Sequence, residues 1–346
     1  MKFHTENHPE EVVECIAVAP NGAIAVGTFR PYSSCAVYIF DDQGLPLQKL
    51  PHNFPVASLM FCPLDSSLLV TVSDQIRVWD AISGKLHAVV SPHAIIVSDE
   101  KTSAVIDEVC PFTAIDFSTD SSYTFAVTDT RGTCSVWDAQ TRKPIEVFQL
   151  GTDEKLYSVS FVSPNVIGCV SETGALYIID RTSQKVVCSN GALDHIAILP
   201  RSQPVKLAWL HLHNLVAIAF QTSGLVAVFL INSLSSPSPR LLGTTKASHS
   251  TCESIADISW DKLHPQYLVV ARDSGVVQVY HKGNLESPHF DSRTPLGASA
   301  LAWTKDGGLL IGNISGEVVK TQLPADTMET GGPLAFATPI NYPALA

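Results

Sequence analysis

Seven times along the chain a short apolar run closes on a bulky residue, and about eighteen residues later a second run closes the same way. The first members are Val18, Phe61, Phe117, Phe161, Trp209, Trp260 and Trp303; the second are Phe40, Trp79, Trp137, Ile179, Phe229, Tyr280 and Thr321. Successive second members lie 39, 58, 42, 50, 51 and 41 residues apart, and all five tryptophans fall on these two positions. A period of forty-odd residues with two apolar strands at fixed offsets fits a four-stranded β-propeller blade, with insertions in the longer intervals. One such sheet cannot cover both of its faces. It needs neighbours, so bulky residues at fixed strand positions stack around a ring, and closing the ring leaves only short, protected sheet edges.

A glycine precedes the second bulky residue by five positions in five units: Gly132, Gly174, Gly224, Gly275 and Gly316. The tetrads ending in the first four, such as Ser171-Glu172-Thr173-Gly174 and Arg272-Asp273-Ser274-Gly275, separate two apolar runs, as tight hairpins with a left-handed glycine do. In the second unit Asp74 occupies the glycine's place, and Asp tolerates that conformation better than most residues.

The reading is therefore an all-β, seven-bladed propeller over residues 1–323. Blades span approximately 12–51, 52–110, 111–154, 155–202, 203–252, 253–296 and 297–323, and an N-terminal strand at 2–6 completes the last one and closes the ring. Residues 324–346, rich in Pro, Gly, Thr and Ala, are expected to form a disordered tail. The connections Leu86 to Cys110, Ser183 to Gln203 and Asn232 to Ser250 are long, and the first and third are expected to be mobile surface loops. The apolar stretch Leu215 to Ile231 would mislead a hydropathy plot. Its polar tetrad sits at the hairpin position and each half has strand length, which favours a hairpin over a membrane helix.

Composition narrows function. With 33 acidic and 22 basic side chains the formal charge is −11, and no Lys or Arg run occurs. That balance argues against direct nucleic-acid binding, which gains its affinity from a basic stripe. Eight cysteines without a C-x-x-C pair read as small buried hydrophobes in a reducing compartment, and the first residues carry no secretory core. Cytoplasm or nucleus is the expected location, with no membrane association.

No nucleophile elbow, Walker loop, H-E-x-x-H or dinucleotide fingerprint is present, so no catalytic, cofactor or metal residue is assigned. His211-Leu212-His213 would place two imidazoles on one strand face, but a third ligand is lacking nearby. Asn313-Ile314-Ser315 matches a glycosylation acceptor and reads as a hairpin. His52 and His249 precede the strands of units two and six, and Asp74 and Asp273 lie in the matching hairpins. With Trp79 and Trp137 they are assigned structural roles, because a His-Asp pair without a positioned nucleophile has no reaction to run.

Val78-Trp79-Asp80, Val136-Trp137-Asp138 and Ile178-Ile179-Asp180 resemble the WD40 signature. From about residue 54 to 180 the order and spacing of Pro55-Val56-Ala57-Ser58-Leu59-Met60-Phe61-Cys62-Pro63, Asp74-Gln75-Ile76-Arg77-Val78-Trp79, Cys110-Pro111-Phe112-Thr113-Ala114-Ile115-Asp116-Phe117 and Thr133-Cys134-Ser135-Val136-Trp137 resemble the anthocyanin-regulator (transparent testa glabra) family of WD proteins. The resemblance implies a non-catalytic scaffold for transcription regulators or protein kinases, a monomeric ring within a larger complex. The W-D-x-R pattern of ubiquitin-ligase adaptors is absent, since Trp79-Asp80 runs into Ala81-Ile82 and Trp137-Asp138 into Ala139-Gln140. Subunits of ubiquitin-ligase, trafficking, dynein or ribosome-assembly complexes remain the alternative, and a propeller hydrolase ranks below them. The contact face of such a ring is built by the hairpin tetrads and the loops leading into each first strand. Its candidate residues are Phe54, Phe112, Arg131, Tyr157, Glu172, Arg272 and Asp273, because aromatics and Arg are the usual anchors of interfaces.

Overall fold

A computed structural model describes residues 11–30, 35–91, 112–118, 120, 123–150, 154–189, 204–210, 213–221, 223–232, 239–245, 253–261 and 263–322. Among them are six four-stranded antiparallel sheets and one of three strands, each a simple meander. The first strands of the seven sheets are Val12–Val18, Ser58–Phe61, Phe112–Phe117, Leu156–Ser163, Pro204–Leu210, Ile255–Trp260 and Ala300–Trp303. Each touches the first strand of the next sheet, and the seventh touches the first, so the sheets form a closed seven-bladed β-propeller. The Val13 N–H donates to the Asn313 carbonyl across the seam between blades 1 and 7 (3.1 Å).

The two series of bulky residues meet in space through a shared partner. In every blade the first-series and second-series residues lie opposite one residue of the second strand: Val18–Ile24–Phe40, Phe61–Leu69–Trp79, Phe117–Phe125–Trp137, Phe161–Ile167–Ile179, Trp209–Val216–Phe229, Trp260–Leu268–Tyr280 and Trp303–Leu309–Thr321. All of these except the half-buried Val18 are buried. Side chains alternate across a pleated strand, so such a row presents one bulky edge to a neighbouring blade. The apolar core accordingly divides into seven clusters, and each joins one adjacent pair of blades.

All five hairpin glycines have positive φ, from 60° at Gly224 to 88° at Gly275. Asp74 departs from the expectation. Val72 pairs with Ile76 there, whereas Val170 pairs with Leu176 and Ala271 with Val277, so the hairpin of blade 2 is shorter and has no left-handed residue at its tip. The stretch from Leu215 is the expected hairpin, with strands Leu215–Phe220 and Leu225–Ile231. No described helix is long and apolar enough to cross a membrane.

The three long connections need correction, because each contains part or all of an outer strand. Leu86 belongs to the strand Lys85–Val90, the second connection holds Lys185–Ser189, and the third holds Pro239–Thr244. An outermost strand covers one face only partly and carries polar residues, so its sequence lacks the apolar run that marks the inner three. The outermost described strand of blade 7 is its third, Val318–Gln322. The N-terminal strand at 2–6 and the tail at 324–346 lie outside the described residues, as do His249, His211, Cys110 and Cys252. Cys15, Cys35, Cys62, Cys134 and Cys169 are free thiols, four of them buried.

Candidate protein-interaction face

The hairpins joining second to third strands lie at one end of the ring, together with the segments that lead into each first strand. Side chains at the ends of the second strands shape these turns. Asp129 Oδ1 accepts the N–H groups of Arg131 (2.9 Å) and Thr133 (2.8 Å). Asn313 Oδ1 does the same for Ser315 (3.0 Å) and Glu317 (2.8 Å), which fixes Asn313 inside a hairpin and buries it. Such Asx turns hold a loop rigid at small cost, because the side chain supplies the acceptor the backbone lacks.

Five of the seven contact candidates reach the surface. Phe54 is 48% exposed, and Asp273 is exposed at its hairpin tip. Arg131, Tyr157 and Glu172 are half-buried. Lys155 Nζ stands 4.5 Å from the Tyr157 ring centroid, a cation–π contact that holds both side chains against the surface. The Glu172 N–H donates to the Lys155 carbonyl (2.8 Å), and the Asp273 N–H to that of Ser254 (3.0 Å), so each hairpin is tied to the segment leading into its own blade.

Phe112 and Arg272 are not contact residues. Phe112, 1% exposed, packs in the core between blades 2 and 3, and its N–H donates to the Ser73 carbonyl (2.8 Å). Arg272, also 1% exposed, extends from blade 6 to blade 5, where Nη1 donates to the carbonyl of Gly224 (2.9 Å) while Nε donates to Gln278 Oε1 (3.0 Å). A guanidinium in a planar fork satisfies two acceptors at once, which suits it to a buried strut. Its sequence position at the head of a tetrad gave no sign that it points inward.

Of the residues assigned structural roles, His52, Thr71 and Trp79 form one chain across blades 1 and 2. His52 Nδ1 lies 3.1 Å from the Leu50 carbonyl, which can only accept, so Nδ1 carries the proton. Nε2 then accepts from Thr71 Oγ1 (2.9 Å), which in turn accepts from Trp79 Nε1 (3.1 Å). Burial pushes the His52 pKa down to about 4, in keeping with a neutral ring. Asp74 stands apart from this chain: its carboxylate accepts from Ser73 Oγ (2.8 Å) and lies 3.7 Å from Arg77. Trp137 Nε1 donates to Ser135 Oγ (2.8 Å) within its own strand. Asp273 Oδ2 accepts from Ser254 Oγ.

Two polar groupings escaped the sequence reading. Glu154 accepts hydrogen bonds from Ser171, Thr173 and Tyr177. Burial pushes its carboxyl pKa up, but these donors outweigh that and hold it below the usual range. The second grouping lies on the ring axis. Lys206 Nζ is 3.2 Å from Asp257 Oδ1, and its electrostatic neighbours include Asp116 of blade 3 and Cys15 of blade 1. Only the axial channel borders blades 1, 3, 5 and 6 together. Nearly half of the Lys206 side chain is open to water there although protein surrounds it, and Asp257 holds its pKa above the ordinary value. No sequence signal could find this pair, because 51 residues separate its members.

The acidic side chains Asp257, Asp116 and Glu154 are engaged with backbone N–H, hydroxyl or ammonium partners, and among the described residues no three His, Cys, Asp or Glu side chains are grouped to hold a metal ion.

No protein-family model and no curated protein matches the chain. Among solved structures, the structure of U3-55K superposes with a TM-score of 0.67 at 13% identity, covering 89% of this chain and 90% of that one. The crystal structure of the RRP9 WD40 repeats gives 0.68 at 13% identity, with 89% and 88% covered. At that identity the likeness concerns the fold, and it points to WD40-type propellers at large rather than specifically to the anthocyanin-regulator family. It also overturns the exclusion of nucleic acid drawn from net charge. One of the two propellers carries the name of an RNA, U3, and a net charge averages over a whole surface while binding uses one patch. The chain is a seven-bladed WD40-type propeller similar in fold to U3-55K and to the RRP9 WD40 repeats.

Proposed function

We propose that this propeller is a non-catalytic scaffold subunit of a multiprotein assembly, and that the assembly is a ribonucleoprotein of the ribosome-assembly kind. The observation that carries the reading is the likeness to U3-55K and the RRP9 repeats over nine-tenths of the chain. It favours this alternative over a scaffold for transcription regulators or protein kinases, which rests on the motif order between residues 54 and 180. The face presenting Phe54, Arg131, Tyr157, Glu172 and Asp273 is proposed to meet protein partners. An exposed aromatic beside rigid, capped hairpins offers an anchor at little entropic cost. A nuclear location follows from the reading.

Affinity purification from the native cell, with mass spectrometry of proteins and sequencing of bound RNA, tests it. Ribosome-assembly factors and a discrete RNA are the expected yield. Recovery of transcription regulators, kinases or a cullin ligase without them sinks the ribonucleoprotein reading. Phe54→Ala should lower partner recovery without changing the melting temperature.

A further inference from the structure

Blade 6 differs from its neighbours in the connection between its third and fourth strands. In blades 2, 3 and 4 that connection is the four-residue turn 81–84, 139–142 or 181–184; in blade 6 it runs from Lys282 to His289. The longer segment is pinned at two points. Leu285 is buried in the core between blades 5 and 6, and the His289 N–H donates to the Val279 carbonyl (2.7 Å). Between these anchors Glu286, Ser287 and Pro288 belong to no strand, and Ser287 is exposed.

A serine followed by proline is the dipeptide on which proline-directed protein kinases act, and the proline ring keeps the residue before it extended, so that its hydroxyl is presented outward. Four hydroxyl residues precede a proline among the described residues, and three of them are closed off. Thr294, 2% exposed, donates to the Gly297 carbonyl (2.7 Å). Ser163 is half-buried and pairs with Val166 at a strand end, and the half-buried Ser91 accepts from Gln75 Nε2 (3.3 Å). Only Ser287 combines exposure with a backbone outside the strands.

The surroundings of Ser287 also provide for a phosphate. It lines a cleft of about 360 Å³ with Tyr267, His281, Asn284, Pro288 and His289, and no carboxylate is among these residues. Tyr267 and His289 stack on each other at 5.6 Å, so the cleft offers polar donors rather than ring faces. The Asn284 amide donates to Ser287 Oγ (3.2 Å), and the Glu286 N–H steadies that amide by donating to its oxygen (3.2 Å). His281 Nδ1 accepts from the Gly283 N–H (3.1 Å), which leaves the ring proton on Nε2 as a second donor.

We propose that Ser287 is a phosphorylation site of a proline-directed protein kinase, and that the cleft beneath the arch receives the phosphate. Ser287 Oγ attacks the γ-phosphorus of a nucleoside triphosphate and the bond from that phosphorus to the β–γ bridging oxygen breaks. The diphosphate leaves and the hydroxyl proton passes to the kinase. The product carries about −1.5 to −2 charge and three acceptor oxygens, which the Asn284 amide and the His281 Nε2–H are placed to meet. Phosphorylation therefore tightens the arch, on the side of the ring opposite the hairpin tetrads and Phe54. The proposal goes beyond the ribonucleoprotein reading and does not rest on it.

The test incubates the purified full chain with ATP and a cyclin-dependent kinase and locates phosphate by mass spectrometry. The tryptic peptide 283–293 holds Ser287 and Ser292, which fragmentation separates. Phosphate on Ser287 is expected, with loss of that label in Ser287→Ala and in Pro288→Ala and no change in Ser163→Ala. The same peptide from the native cell should carry the phosphate until phosphatase treatment. Hydrogen exchange then reads the cleft: amides of residues 282–289 should slow about tenfold on phosphorylation, the worth of one hydrogen bond to a charged group. Asn284→Ala should remove most of that slowing. If Pro288→Ala lowers the melting temperature, the exchange comparison on the unaltered chain decides. Ser287 unlabelled in either sample, a label indifferent to Pro288 in a variant of unchanged stability, or exchange indifferent to the phosphate overturns the proposal.

Discussion

The junction between blades 1 and 2 and the junction between blades 5 and 6 solve one packing problem with different chemistry. Both bury the same cross-strand row against a neighbour. At the first, a neutral chain runs from the Trp79 indole through Thr71 to His52 and the Leu50 carbonyl. At the second, a buried guanidinium, Arg272, reaches the Gly224 carbonyl, and the Trp260 indole donates to the Ala208 carbonyl (3.1 Å). The repeat thus specifies where bulk must lie and leaves open how each junction satisfies its buried polar groups. Packing tolerates many side chains of suitable size, whereas every buried donor and acceptor needs its own partner.

Substitutions can break this contrast at graded depth. The largest effect is expected from removing residues 1–8, which contain the segment 2–6 expected to form the outer strand of blade 7: loss of a whole strand should lower the melting temperature more than any point change, and an unchanged transition refutes the assignment. Phe229→Ala, at a fully buried row position, should cost about 3 to 5 kcal/mol in denaturant unfolding. Arg272→Met keeps the bulk and removes the strut. A loss of about 1.5 to 3 kcal/mol is expected, from a charged donor's hydrogen bonds and the stranded Gly224 carbonyl.

His52 distinguishes the junctions by pH. Its folded pKa of about 4 lies below the ordinary 6.5, so between these values the unfolded chain holds more protons. The stability tied to its neutral form is therefore complete above about pH 6.5 and falls as pH drops toward 4, by at most about 1.4 kcal/mol per pH unit. Unfolding profiles of the protein and of His52→Gln should converge over that window, while Arg272→Met should leave the slope intact. The smallest effect concerns two tryptophans of the same row. Trp303 Nε1 donates to Ser259 Oγ (3.0 Å), whereas the buried Trp209 Nε1 has no acceptor among the described residues. Trp209→Phe should cost about 1 kcal/mol less than Trp303→Phe; equal losses would show that the indole N–H is irrelevant at both.

Which strands were legible in the sequence follows from burial. The first three strands of each blade are apolar runs between turn residues, and the rows Phe117–Phe125–Trp137 and Trp260–Leu268–Tyr280 could be registered from spacing. Lys85–Val90 and Pro239–Thr244 were read as loops because an outer strand mixes exposed and polar residues. On the candidate face, Phe54 and Asp273 lie at the surface, but Phe112 and Arg272 turn inward. Residue type alone cannot tell an anchor for a partner from an anchor for the next blade, since both demand aromatic area or a guanidinium fork.

By itself the amino-acid sequence determined the number of blades, the positions of bulk and the left-handed hairpin glycines, because these depend on local periodicity and on what one glycine permits. Only the tertiary structure decided the partners of His52, Asp74 and Arg272, the Lys206–Asp257 pair on the axis, and the aromatic cleft of blade 6. Those features join residues from different strands and blades, and the distances between such residues are set by ring closure, which no local pattern encodes.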